Sequence, residues 1–392
     1  MSSERLKEKI QQRDFKLNSL LEIAIAINGN LPASELLGEY RKVLRDNLGV
    51  EKLMLFTHDG NWSCLMHYGV ENESIPEVSD IDFFSSTDDF VIEVQHEGAP
   101  IAFLLAGDVS EDMKISPVIK HMKFIQTITN LLVVALQNRR LQQESLRQVQ
   151  VKKELELAAE MQSMLLPAQL PKNERFEASS FYKAHQQVGG DYYDFVELND
   201  DEVMFCMADV SGKGLSAAFL MANFQAYLRA LFLYRRDGLE QMIPELNERV
   251  MMSALGEKYI TLFLAIYNRR TRMLQYANCG HNPPVLADAH GHTQLLKLGT
   301  IGLGMFDTIP KIAVGEVKLE PSTTIVCYTD GLVEPENANN EEFGIERLEK
   351  TILVNRNLAA GDLNTAIVNA LNDWKGDMPY TDDVAILTCR FF

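Results

Sequence analysis

Residues 15–28, FKLNSLLEIAIAIN, repeat apolar side chains at helical spacing and stop at Asn28-Gly29, a helix-ending pair. A second helical pattern over 33–47 lays Leu36, Leu37, Tyr40, Val43 and Leu44 along one face. Short strand-like runs follow at 52–57, 62–68, 90–95 and 99–105, with Asp59-Gly60 and Glu97-Gly98 where hairpin turns belong. The acidic stretch 71–89 between the hairpins is expected to be a loop with little core. A helix at about 116–136 closes this first zone, an α+β arrangement of sensor-like order.

Residues 137–166 contain neither Gly nor Pro and are rich in Gln, Glu, Lys, Arg and Leu, a strongly helical composition. Leu141, Gln148, Leu155 and Gln162 share one heptad position, and Val151, Ala158 and Leu165 share the next seam position. Glutamines interrupt the seam, so the segment reads either as a weak coiled coil or as a single solvated linker helix. Pro167 and Pro171 end it. Three zones result, at 1–138, 139–167 and 168–392.

The third zone alternates strand and helix patterns. Strands are expected at 176–184, 191–198, 202–210, 259–267, 273–279, 284–287, 293–298, 311–319, 323–328 and 384–392. Helix pairs are expected at 215–234 with 239–255, and at 344–355 with 361–374. The run VMFCMA, 203–208, is apolar on both faces, as a central strand covered on both sides would be. Doubly covered strands with helix pairs between them imply two stacked sheets with helices outside.

Composition narrows the function. The chain has 392 residues, 46% hydrophobic and 23% charged, in the globular range. A net charge of −18 argues against nucleic-acid partners, whose phosphates it would repel. Cys64, Cys206, Cys279, Cys327 and Cys389 are widely spaced and form no CxxC pair, so neither a disulfide framework nor a zinc site is expected. The first residues are too charged for a signal peptide, and the apolar run 124–136 is too short and too polar to span a bilayer. A soluble, cytoplasmic protein is expected.

Four aspartates stand where a strand meets a small turn: Asp191 in VGGDYYDF, Asp209 in MADVSGKG, Asp330 in CYTDGL and Asp382 in YTDDVAIL. A carboxylate so placed is fixed by the sheet yet open to a ligand. An oxygen-only set suits Mg²⁺ or Mn²⁺ rather than zinc. Asp and Gly are also the commonest turn residues, so any one of these sites alone reads first as a turn, and only the four together point to a ligand.

Six motifs in order, VGGDYYDF, ADVSGKGLSAAFLMA, YANCGHNPP, LGTIGLG, YTDGLVE and TDDVAIL, resemble those of the PPM, or type 2C, protein phosphatases. They most resemble the bacterial RsbU/SpoIIE-type branch, across nearly all of 150–392, and the preceding ELAAEMQSMLLP resembles that branch's entry helix. The resemblance implies an α/β/β/α sandwich of two antiparallel sheets carrying two Mn²⁺ or Mg²⁺ ions at one edge. It implies that Asp209 bridges both ions, that the Val210 carbonyl adds a ligand, that Asp191 holds the second ion and that Asp330 and Asp382 hold the first. Asp383 is a further candidate metal ligand by the resemblance, at a position where the wider family often has Asn. The implied reaction is hydrolysis of phosphoserine or phosphothreonine by a metal-activated hydroxide, without a phosphoenzyme. The arginine with which the eukaryotic branch holds phosphate has no counterpart. Cys279 takes a position usually held by a small residue such as Ala and is not expected to act as a nucleophile. His281 is expected to shape its loop, and Lys213 is expected to be a solvated loop lysine.

Residues 15–138 resemble a GAF domain in element order, which implies ligand sensing or dimerisation. His58, Cys64 and His67 are expected to be ordinary hairpin residues rather than a metal or haem site. The resemblance further implies a phosphorylated STAS-domain protein as substrate and a homodimer through the linker and first zone. A catalytically silent scaffold and a small-molecule phosphohydrolase are the alternatives.

Overall fold

A computed structural model describes residues 3–71, 75, 78, 81–85, 89–96, 98–107, 116–185, 188–234 and 238–392. The chain divides into two compact units, Met1–Val149 and Gln150–Phe392. Most of the acidic stretch 71–89, and Glu97 of the second expected turn, lie outside the described residues.

In the first unit, α1 (Ser3–Asn28) and α2 (Ala33–Lys42) precede strands β1 (Lys52–Asp59), β2 (Asn61–Tyr68), β3 (Phe90–His96) and β4 (Ala99–Gly107). Helix α1 starts earlier than its apolar pattern, because residues 3–14 are good helix formers with no apolar face to reveal them. The strands form an antiparallel sheet in the order β2-β1-β4-β3. One sheet face packs on the helices through Leu53, Leu55, Ile125 and Ile128. The other carries Phe56, Phe84 and Phe103, with the last two rings stacked at 4.1 Å. The expected closing helix and linker are one element, α3 (Pro117–Ser163), because no residue between 118 and 163 breaks a helix. Leu141, Gln148 and Val151 on its seam are exposed.

The second unit contains β5 (Phe176–Lys183), β6 (Tyr192–Glu197), β7 (Glu202–Val210), α4 (Leu215–Tyr234), α5 (Leu239–Ala254), β8 (Ile260–Asn268) and β9 (Met273–Cys279). After them come β10 (Val285–Ala287), β11 (Thr293–Leu295), β12 (Gly299–Thr300), β13 (Gly315–Lys318), β14 (Thr323–Tyr328), α6 (Asp330–Val333), α7 (Gly344–Val354), α8 (Ala360–Lys375) and β15 (Val384–Phe391). One sheet runs β11-β10-β14-β15-β5 and the other β12-β9-β8-β7-β6, with β13 also on β9. Pairing is antiparallel except for the short β12, which runs parallel to the end of β9.

Alternation along the strands builds the layers. On β7, Val203, Phe205 and Met207 enter a core shared with Ile325, Cys327 and Leu387 of the opposite sheet. Met204, Cys206 and Ala208 face α4 and α5 instead. On the far side, Val326, Tyr328 and Ile386 pack against α7 and α8. The result is the α/β/β/α sandwich, and VMFCMA is its doubly covered central strand. Among the described residues no helix is long and apolar enough to cross a membrane.

Candidate metal centre

The same alternation places the site. Asp209 continues the inner face of β7 one step past Met207, and Asp191 continues that of β6 before Tyr193. Because Tyr192 pairs with Ala208, both carboxylates emerge at one end of their sheet. In the opposite sheet Tyr328 pairs with Ile386, which brings the end of β14 and the start of β15 to the same edge. Asp330, Asp382 and Asp383 stand there.

Their electrostatics show that they meet. Burial, and then the charge of Asp209, hold the Asp191 carboxyl well above the usual carboxylate range. Burial, followed by the charges of Asp330, Asp382 and Asp383, pushes Asp209 up to about 7. Asp330 is raised by burial and then by Asp382. Asp191 is only 2% exposed, and its Oδ2 is buried without a hydrogen-bond partner among the described residues. A carboxylate oxygen buried unpaired among like charges costs several kcal/mol by order of magnitude unless a cation meets it.

Backbone approaches the same place closely. A Cβ on Gly190 would lie 2.9 Å from the Val210 carbonyl oxygen, and one on Gly331 would lie 1.9 Å from that of Asp383. Only glycine admits such contacts. Asp383 is buried and engaged at both oxygens: His185 N–H donates to Oδ1 at 2.8 Å and Gly190 N–H to Oδ2 at 2.7 Å. Asp382 Oδ1 accepts the Asp383 N–H at 2.8 Å.

Lys213 is half-exposed, as expected of a loop lysine, but it is not free. Its Nζ lies 2.7 Å from Asp382 Oδ2 and donates to the Thr381 carbonyl at 2.7 Å. Among the described residues no three acidic, histidine or cysteine side chains converge tightly enough to enclose a metal ion. The donor set nevertheless fits a hard divalent cation: it is all oxygen, it includes a buried unpartnered carboxylate oxygen, and Asp191, Asp209 and Asp330 are raised by burial and then by neighbouring carboxylates.

Other candidates lie in supporting roles. Burial pushes the Cys279 thiol up to about 12, which leaves it inert. His281 is buried, its Nδ1 is 2.8 Å from the Thr261 hydroxyl, and its N–H donates to Asn278 Oδ1. Burial holds its ring down at about 4, so it is neutral. In the first unit, the His58 ring packs on Trp62 and Cys64 Sγ donates to the Met66 carbonyl. With His67 they form no metal-binding group among the described residues.

Three contributors were not singled out by the sequence reading, although Gln162 and Thr329 lie inside quoted motifs. Gln162 Nε2 donates to the Gly189 carbonyl at 2.6 Å, and Gly189 N–H donates back to Gln162 Oε1 at 3.1 Å. Its sequence signal was a polar residue on an apolar heptad seam. Thr329 is fully buried, takes the Ala385 N–H on its hydroxyl at 3.0 Å and hydrogen-bonds Asp191. Tyr182 presents a buried, unpartnered hydroxyl to Asp383 and Asp191. Nothing in the sequence distinguishes that tyrosine from a core residue.

Residues 199–392 match the family model described as Stage II sporulation protein E (SpoIIE). The chain is 29% identical over 248 residues to the phosphoserine phosphatase RsbU of Bacillus subtilis, covering 62% of this chain and 71% of RsbU. It is 24% identical over 264 residues to protein IcfG of Synechocystis sp., covering 60% of this chain but only 41% of IcfG. Among solved structures, the SiaA-PP2C domain of Pseudomonas aeruginosa superposes with a TM-score of 0.56 at 24% identity, covering 63% of this chain and 99% of that domain. That likeness establishes the sandwich as the type 2C phosphatase fold.

Proposed function

We propose, from the premise that this chain carries a SpoIIE-family domain across residues 199–392, that it is a metal-dependent serine/threonine protein phosphatase. The observation that carries the reading is the cluster of mutually repelling aspartates at one sandwich edge, with Asp191 Oδ2 buried and unpartnered. Two Mn²⁺ or Mg²⁺ ions are the cofactors that such a set takes. Asp209, the Val210 carbonyl, Asp191, Asp330 and Asp382 would hold them. When bound, such ions supply a hydroxide at neutral pH for in-line attack on phosphorus.

The chain's own residues set the stage for that attack. Thr329 and the strand ends fix Asp191 and Asp209 before any ion arrives. Asp383, tied to two backbone amides, clamps the Gly189-Gly190 turn and so acts from the flank of the centre. The buried neutral His281 shapes its loop, and the inert Cys279 has no nucleophilic task.

The phosphatase reading is tested with the purified chain and a phosphoserine protein. Phosphate release in Mn²⁺ or Mg²⁺ that EDTA abolishes is expected; no release in either metal ends the reading. The substrate class that the motif resemblance implies is a phosphorylated STAS-domain protein in a partner-switching pathway, and the likeness to the phosphoserine phosphatase RsbU supports its phosphoserine. If such proteins lose phosphate no faster than an unrelated phosphoserine peptide, while aryl phosphate is hydrolysed, that assignment alone falls. Residues 1–138 act as a GAF-like regulatory and dimerisation domain, coupled through 139–167 to the phosphatase domain 168–392.

A further inference from the structure

Lys213 lies on the loop between β7 and α4, four residues beyond Asp209. Its two contacts, Asp382 Oδ2 at 2.7 Å and the Thr381 carbonyl at 2.7 Å, both belong to the turn before β15. The contact is tertiary, made across the two sheets. Because the Asp383 N–H holds Oδ1, both oxygens of Asp382 are taken by groups of the protein itself. Asp191 differs: one of its oxygens is buried and has no partner among the described residues. The neighbouring Lys258 donates instead to the Ser211 carbonyl at 3.2 Å, so it braces the loop rather than a carboxylate.

An ammonium beside a carboxylate does part of the work of a metal ion, with one charge in place of two. It also resists that ion. A divalent cation that takes Asp382 has to displace Lys213, and the displaced ammonium then repels it from nearby. Both effects weaken metal binding. The opposite role, a lysine that orients a ligand from behind, would strengthen it. The geometry separates the two: Lys213 sits on Asp382 Oδ2 while the Asp383 N–H holds Oδ1, so the lysine stands in a ligand position rather than behind one.

We propose that Lys213 is an internal counter-cation that occupies Asp382 in the metal-free chain and must release it before a divalent cation is bound, so that this residue sets the metal affinity of the centre. The inference rests on the metal-centre reading above and names the chain's own competitor for it.

The test is direct Mn²⁺ titration of the full chain by calorimetry, beside thermal melting in EDTA. Lys213→Met is expected to bind Mn²⁺ about 3- to 10-fold more tightly than wild type, from the lost ion pair and the lost repulsion. Its melting temperature in EDTA should fall and its Mn²⁺-induced rise should grow. Lys213→Arg keeps the charge and should stay near wild type. Lys213→Gln, which retains a donor for the Thr381 carbonyl, serves if the Met variant does not fold, and the same tightening is expected of it. A folded Met or Gln variant with unchanged or weaker Mn²⁺ affinity overturns the inference and leaves the phosphatase reading standing. A wild-type chain that binds no Mn²⁺ removes both.

Discussion

Asp209 ends a strand whose alternation sends it inward, and it pays for that position first in burial and then in repulsion from Asp330, Asp382 and Asp383. Held near 7 in the folded chain, its pKa lies above that of an unfolded aspartate. Its contribution to stability is therefore full below about pH 4 and is lost as the pH rises to about 7. Asp209→Asn removes that loss. In EDTA the variant is expected to gain about 1–2 kcal/mol on wild type at pH 8 and less at pH 5. His281, held low, acts in the opposite sense, but it is common to both proteins and cancels from the difference. The same variant, and Asp382→Asn likewise, should lose Mn²⁺-dependent hydrolysis of an aryl phosphate with the fold intact. Thermal melts at the two pH values check the first expectation; wild-type turnover in either variant would remove that aspartate from the centre.

At the level of elements, the last turns of α3 and the turn before β6 are joined by one side chain. Gln162 spends both ends of its amide on Gly189, two residues from Asp191. Gln162→Leu would leave a buried N–H and a buried C=O unpaired, at about 1–3 kcal/mol each. We expect it to destabilise the chain by about 2–4 kcal/mol in denaturant titrations. Mn²⁺-dependent turnover should fall as well, because the turn that carries Asp191 loosens. A variant with wild-type stability and turnover would show that the tie positions nothing. Gln162 had read as a flaw in a heptad seam; it is a built contact to the loop before β6.

For the whole molecule, the proposed assembly is a parallel homodimer through the first unit and the linker helix. On α1, Leu17, Leu21 and Ile25 recur every four residues and are exposed, so they form one apolar stripe. Leu141 and Val151 on α3 are exposed too. Light scattering of the full chain at micromolar concentration is expected to report the mass of two chains. A monomer throughout would end the assignment. Substitutions along 139–161 that leave a dimer with unchanged activity would end only the proposed coupling.

Local pattern was enough for most of the elements, and it put four aspartates at strand ends beside small turns. Helix α4 and strands β7, β9 and β14 have the bounds that periodicity and breakers predict, because apolar alternation and Gly, Asn and Pro punctuation act over a few residues. Strand parity even tells which aspartates face inward: Asp191 lies two residues before Tyr193 and Asp209 two residues after Met207. Other features depend on partners distant in sequence. Asp383 clamps Gly190 from 193 residues away, and Lys213 finds Thr381 across 168. The short parallel β12 exists only because β9 lies beside it. Local pattern sets which residues bear charge and which face of each strand they share. The tertiary structure alone decided which of those charges meet, since repulsion and ion pairing depend on distance through space and not along the chain.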